Sequence, residues 1–197
     1  RRCTKEDITH QACGKLIVAT NEFEQKQLPG ILENAQNNGV TDGRHIGPEE
    51  IKAIEPHIFA SEALHFPTTG IIDTHGLMKQ LETDAVVQGS QMVYGSKVTG
   101  ISKMKEGYKV EVTDEQGEQY VFTTNKIINA AGLFADKISE MTGIQDNSYK
   151  IYFWKGEYFS VGNSKSSLIN GLVYPVPESN TVSLGIHATV DLTGRVK

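Results

Sequence analysis

Asn129-Ala130-Ala131-Gly132-Leu133-Phe134-Ala135-Asp136 joins the apolar pair Ile127-Ile128 to a stretch with helical spacing. Small residues ending a strand bring bare backbone amides close to whatever lies above the turn. The N-terminus of the helix that follows suits a phosphate or another anion there. The same residues also suit a strand–helix turn kept small for packing alone. A second set of candidates lies late in the chain. His187, within Leu184-Gly185-Ile186-His187-Ala188-Thr189, carries an imidazole that titrates near neutral pH and can take a proton across one hydrogen bond. The alternative is a histidine satisfied within a sheet. Lys155 can neutralise a carboxylate, and Tyr158 or Tyr174 can hydrogen-bond one; equally, all three can be surface side chains on strands. His45, His57, His65 and His75 have no metal-ligand spacing, and Asp73 reads as a helix cap. Cys3 and Cys13 are too few for a disulfide framework or a zinc cluster, and Cys13 reads as a small packing residue.

The elements that must position these groups follow from pattern. Residues 15–20 are a short apolar strand, and 21–38 fit a helix broken near Pro29-Gly30. Gly47-Pro48-Glu49-Glu50 opens another helix, which Pro56 closes. Residues 63–66 read as a strand, 67–70 as a turn, and Asp73 or Thr74 caps a helix running to about Val86. The period then changes. Runs at 91–96, 97–103, 108–113 and 119–124, separated by glycine-containing turns, form a β-meander with one wet face. Residues 126–132 read as a buried strand, and 133–141 as a helix. The β-leaning runs 149–153, 157–161, 167–172 and 182–189 read as part of an antiparallel sheet.

The 197 residues are 38% hydrophobic and 22% charged, with 19 Lys plus Arg against 24 Asp plus Glu and a net charge of −5. That length allows one domain or somewhat more at roughly 100–200 residues each. The acidic balance argues against a nucleic-acid partner. No apolar run approaches the roughly 20 residues of a membrane helix, and Arg1-Arg2-Cys3-Thr4-Lys5-Glu6-Asp7 lacks the features of a secretory signal. The expected setting is soluble, reducing and cytoplasmic.

Ser96-Lys97-Val98-Thr99-Gly100-Ile101, a meander, and then Ile127-Ile128-Asn129-Ala130-Ala131-Gly132 resemble the middle of the FAD-dependent D-amino-acid-oxidase-like oxidoreductases. The resemblance implies that the backbone of Val98 contacts the adenine of the cofactor and that Ala130, Ala131 and Gly132 border its ribose–diphosphate. Six further segments match, in order, the L-2-hydroxyglutarate dehydrogenase/oxidase branch. They begin at Cys13-Gly14-Lys15, Ile54-Glu55-Pro56-His57, Thr69-Gly70-Ile71, Lys155-Gly156-Glu157-Tyr158, Val173-Tyr174-Pro175 and Leu184-Gly185-Ile186-His187.

The resemblance implies a mixed α/β (α+β) fold. Residues 14–90 and 144–197 would supply a substrate domain centred on an antiparallel sheet. Residues 91–143 would supply part of an FAD-binding domain. It also implies oxidation of a 2-hydroxy acid, most like L-2-hydroxyglutarate to 2-oxoglutarate. His187 would be the base, and Lys155, Tyr158 and Tyr174 would hold the substrate. Many relatives carry arginine at the position of Lys155, whose planar fork grips a carboxylate with two bonds. The family's opening Gly-x-Gly-x-x-Gly unit is not found in these residues, nor is its closing Gly-Pro segment, so the chain reads as the interior of a larger enzyme, inactive by itself. The electron acceptor would be oxygen or a quinone, the latter with a peripheral membrane contact. Two alternatives stand beside this: an amine, glycine or glycerol-3-phosphate oxidising relative, and a non-catalytic β-rich binding domain.

Overall fold

A computed structural model describes residues 2–162, 165, 168–177 and 185–197. In chain order the elements are α1 (Arg2–Lys5), β1 (His10–Gln11), β2 (Lys15–Ala19), α2 (Glu22–Gln25), α3 (Leu28–Asn37), β3 (Arg44–Ile46), α4 (Pro48–Ile54) and β4 (Glu62–Phe66). Then follow β5 (Ile71–Ile72), α5 (Thr74–Val87), β6 (Ser96–Lys103), β7 (Tyr108–Asp114), β8 (Gln119–Thr124), a 3₁₀ turn at Gly132–Phe134, α6 (Ala135–Met141) and β9 (Leu172–Pro175). The chain divides into two compact units, residues 1–84 with 158–197, and residues 85–157.

In the first unit a four-stranded sheet has the order β3-β4-β2-β9. The pairings among β3, β4 and β2 are antiparallel, while β9 joins β2 in parallel, with Ile17 opposite Tyr174. An antiparallel sheet is thus present, but β2, β3 and β4 build it; of the late runs expected in such a sheet only β9 joins, at the edge and in parallel. β2 lies in its middle, which is why Leu16-Ile17-Val18-Ala19 is apolar on both faces: Leu16 packs with Ile46, Ile51 and Ala63, while Ala19 packs with Leu28, Leu64, Phe66 and Val176.

The helical stretch after β2 breaks at Lys26-Gln27, just ahead of Pro29-Gly30. Pro29 falls in the first turn of α3, where a missing N–H costs nothing, so it starts the second helix instead of ending the first. Asn21 caps α2 by accepting the Glu24 N–H at 3.0 Å. Asp73 does the same for α5, accepting the Gly76 N–H at 3.0 Å.

The second unit holds the expected meander, β6-β7-β8, antiparallel throughout and bulged between Val98 and Gly100. Ile101 and Val110 are its buried residues, and α6 packs against β6. Several β-leaning runs are not strands. Residues 91–95 form no ladder, and the run enters β6 only at Ser96. Residues 126–132, expected as a buried strand, are irregular up to Ala131 and enter the 3₁₀ turn at Gly132, with Ile128 92% exposed. Residues 149–153 and 157–161 likewise carry no strand, and Tyr152, Phe153, Trp154 and Phe159 are exposed. An apolar, β-branched or aromatic composition favours a strand only where a partner strand accepts its backbone bonds. Of the run 167–172, Leu172 begins β9, and of 182–189, Ala188 makes an isolated bridge to Val173; Ser167 and residues 182–184 lie outside the described residues. No helix among the described residues is long and apolar enough to cross a membrane.

Candidate active site

β9 carries Tyr174 into the first unit's sheet. One residue earlier, Val173 exchanges two backbone hydrogen bonds with Ala188, each 2.9 Å, and this bridge sets His187 beside Tyr174. The two rings stack, with centroids 4.5 Å apart and planes inclined by 11°. Gly185 shapes the approach. Its φ of +71° is left-handed, and a Cβ there would meet Pro175 Cγ at 3.0 Å. The Gly185 carbonyl lies 3.0 Å from His187 Nδ1. A carbonyl oxygen can only accept, so Nδ1 carries the proton, and in the neutral ring Nε2 holds the lone pair. The stacking and this bond together fix the orientation of the imidazole.

Burial pushes the Tyr174 phenol above its ordinary value, and the phenol of Tyr158 adds to this. Tyr174 therefore keeps its proton at neutral pH and can donate it in a hydrogen bond. Tyr158 is exposed.

Lys15 completes this group, and sequence reasoning passed over it. Its ammonium sits 5.4 Å from the Phe66 ring centroid and 5.7 Å from that of Tyr174. The signal available was a lone cation at the head of an otherwise apolar strand. Glu55 was also missed as a functional support. It is 1% exposed, and its carboxylate accepts the backbone N–H of Asn170 at 2.9 Å and of Gly171 at 2.7 Å. It thus fixes the chain immediately before β9.

The second unit holds the other candidates. Val98 pairs with Val112 and lines an open groove of about 770 Å³, together with Ser96, Tyr120 and Phe122. Ala130 and Gly132 are exposed and Ala131 half-buried. Asn129 braces their turn: its Oδ1 accepts the Ala131 N–H at 3.3 Å, and its Nδ2 donates to the Ala135 carbonyl at 2.7 Å and Ser139 Oγ at 3.2 Å. Gly132 has a φ of +55°, with open space where a side chain would begin, and no side chain caps the 3₁₀ turn. An accessible, uncapped turn without a Cβ over it fits the anionic part of a nucleotide cofactor approaching the backbone. Lys155 lies in this unit too, exposed, with its amine 3.0 Å from the Glu157 carboxylate. The described residues contain no group of His, Cys, Asp and Glu that could hold a metal.

Comparison with known proteins gives these features a context. The chain is 31% identical over 197 residues to L-2-hydroxyglutarate dehydrogenase of Indibacter alkaliphilus, covering 100% of this chain and 48% of that protein. It is 30% identical over 203 residues to the human mitochondrial L-2-hydroxyglutarate dehydrogenase, covering 98% of this chain and 43% of that protein. The chain therefore spans about half the length of the curated relatives it matches. Among solved structures, FAD-bound L-α-glycerophosphate oxidase from Mycoplasma pneumoniae superposes with a TM-score of 0.74 at 23% identity, over 96% of this chain and 49% of that one. L-proline dehydrogenase from P. horikoshii also gives 0.74, at 19% identity, over 98% and 50%. Residues 1–197 match the family described as FAD dependent oxidoreductase along their whole length, and the chain belongs to that family.

Proposed function

We propose that the protein carrying this chain oxidises an L-2-hydroxy acid, L-2-hydroxyglutarate in the first instance, to the 2-oxo acid. The observation that supports it best is the oriented imidazole: His187 stacked on Tyr174 with Nδ1 bound to the Gly185 carbonyl. Nε2 of such a ring takes the hydroxyl proton as the C2–O bond becomes a carbonyl. The phenol of Tyr174, held protonated, donates a hydrogen bond to an oxygen of the substrate. Lys155 and Tyr158 are further contacts for the carboxylates in this reading. Stacking holds the imidazole plane fixed, so the base meets the hydroxyl without first losing rotamer freedom.

FAD, when bound, supplies the two-electron acceptor for the hydrogen leaving C2. The backbone of Val98 and of the turn at Ala130, Ala131 and Gly132 would hold its adenine and diphosphate parts. In this assignment residues 91–143 belong to the cofactor side, and residues 14–90 and 144–197 to the substrate side. The L-2-hydroxyglutarate dehydrogenases among its relatives favour that substrate over an amine or a polyol phosphate.

The test is anaerobic titration of the FAD-reconstituted whole protein with L-2-hydroxyglutarate, glycine and glycerol-3-phosphate in parallel. Bleaching of the yellow band by L-2-hydroxyglutarate alone is the expected result. Bleaching by glycine or glycerol-3-phosphate instead would replace the substrate, and a protein that stays colourless after reconstitution would remove the flavin reading altogether.

A further inference from the structure

Lys15 has a chemical situation that packing alone does not explain. Its ammonium lies over two aromatic rings, half-buried at the start of a central strand. The ion pairs of the described residues join other cations to Asp and Glu, and none includes Lys15. Aromatic faces attract a cation but accept none of its three N–H donors at full strength, so the charge is presented and left without an anion. The Tyr174 ring is shared. Lys15 lies 5.7 Å from its centroid and the His187 centroid 4.5 Å from it, so the ammonium and the imidazole cannot be further apart than these two distances combined, about 10 Å. A hydroxy acid of a few carbons, with a hydrogen bond at each end, reaches any separation within that bound.

We infer that Lys15 is a carboxylate-binding residue of the substrate pocket, gripping one carboxylate of the acid whose hydroxyl faces His187. This rests on the oxidoreductase reading proposed above and adds to it a cation beside the Tyr174 ring on which the base is stacked. The point charge of an ammonium accepts a carboxylate from several directions, and Tyr174 sets the spacing between that carboxylate and the reacting carbon.

The experiment compares the FAD-loaded whole protein with its Lys15→Met and Lys15→Arg variants, by calorimetric titration with 2-oxoglutarate and with oxalate. Methionine keeps the apolar stem over Phe66 and Tyr174 and removes the charge. We expect Lys15→Met to weaken both ligands by about 10- to 100-fold, with Lys15→Arg recovering most of the loss. A second, mutation-free measurement uses wild-type protein with ¹³C-dimethylated lysines, in which the Lys15 signal should shift with 2-oxoglutarate and not with chloride.

Unchanged affinity in Lys15→Met, or a Lys15 signal that does not move, overturns the inference while leaving the function proposal standing. If wild-type protein binds the carboxylates through Lys15 yet is not bleached by L-2-hydroxyglutarate, the substrate proposal fails and the Lys15 assignment stands. Wild-type protein that binds neither ligand overturns both.

Discussion

Replacing Glu55 by alanine takes the acceptor from two backbone N–H groups at once. Both belong to the two residues that precede β9, Asn170 and Gly171, and Gly171 is itself buried. A buried donor left without an acceptor costs roughly 1–3 kcal/mol; the exposed Asn170 can turn to water, so the Gly171 amide together with the cavity left by the side chain puts the cost of Glu55→Ala at about 2–4 kcal/mol. For a chain of this size each kcal/mol moves the melting point by about 2–4 °C, which puts the expected fall near 10 °C. Glu55→Gln keeps the shape and one carbonyl oxygen, and should lose about half as much. Thermal and urea unfolding followed by circular dichroism measure both. Because the clamp fixes the approach to Tyr174, Glu55→Gln should also weaken substrate binding before it slows turnover. A change under about 0.5 kcal/mol in both variants, the range of ordinary surface substitutions, would mean that the two amides do not depend on this carboxylate.

Gly185→Ala forces a Cβ into a left-handed backbone and against Pro175 Cγ. It should cost about 1–2 kcal/mol by thermal unfolding and shift the His187 ring resonances, whereas a wild-type spectrum would separate Gly185 from the positioning of the base. Asp191, held by the hydroxyl of Thr193 and then by the backbone N–H of Arg195, has a carboxyl lowered from 3.8 to about 2. A lowered folded value means that its contribution to the turn before Val196 is fully present above 3.8 and is lost as the pH falls through about 2. Carboxyl chemical shifts followed by NMR should show that midpoint, and a midpoint at 3.8 would contradict it.

The legible parts of this fold are those where pattern and partner coincide. Lys15-Leu16-Ile17-Val18-Ala19 reads as a strand and is one, because β4 and β9 lie on its two sides. The meander reads from its glycine turns, and the helix starts from Asn21, Pro48 and Asp73. Ile127-Ile128 has the same apolar signal as β2, but periodicity records side-chain character and not whether a neighbouring strand exists to accept the backbone bonds. The aromatic run from Tyr149 to Phe159 misleads for the same reason.

In the site, His187 and Tyr174 stand out by residue type, and their contact depends on the Val173–Ala188 bridge, which no local pattern encodes. Lys15 and Glu55 were hidden differently. One is a cation inside a strand signal, with its rings about 50 and about 160 residues further along the chain, and the other a carboxylate just past a helix, with its partner 115 residues further along.

The most direct test of His187 as the base is the rate of anaerobic flavin reduction in FAD-loaded wild-type protein and in His187→Gln, measured by rapid mixing with saturating L-2-hydroxyglutarate. Glutamine can fill the site beside Tyr174 but cannot take the hydroxyl proton, so reduction should slow by about 10²- to 10⁴-fold while 2-oxoglutarate binds with near wild-type affinity. Reduction of His187→Gln at the wild-type rate would contradict the assignment and move the base elsewhere.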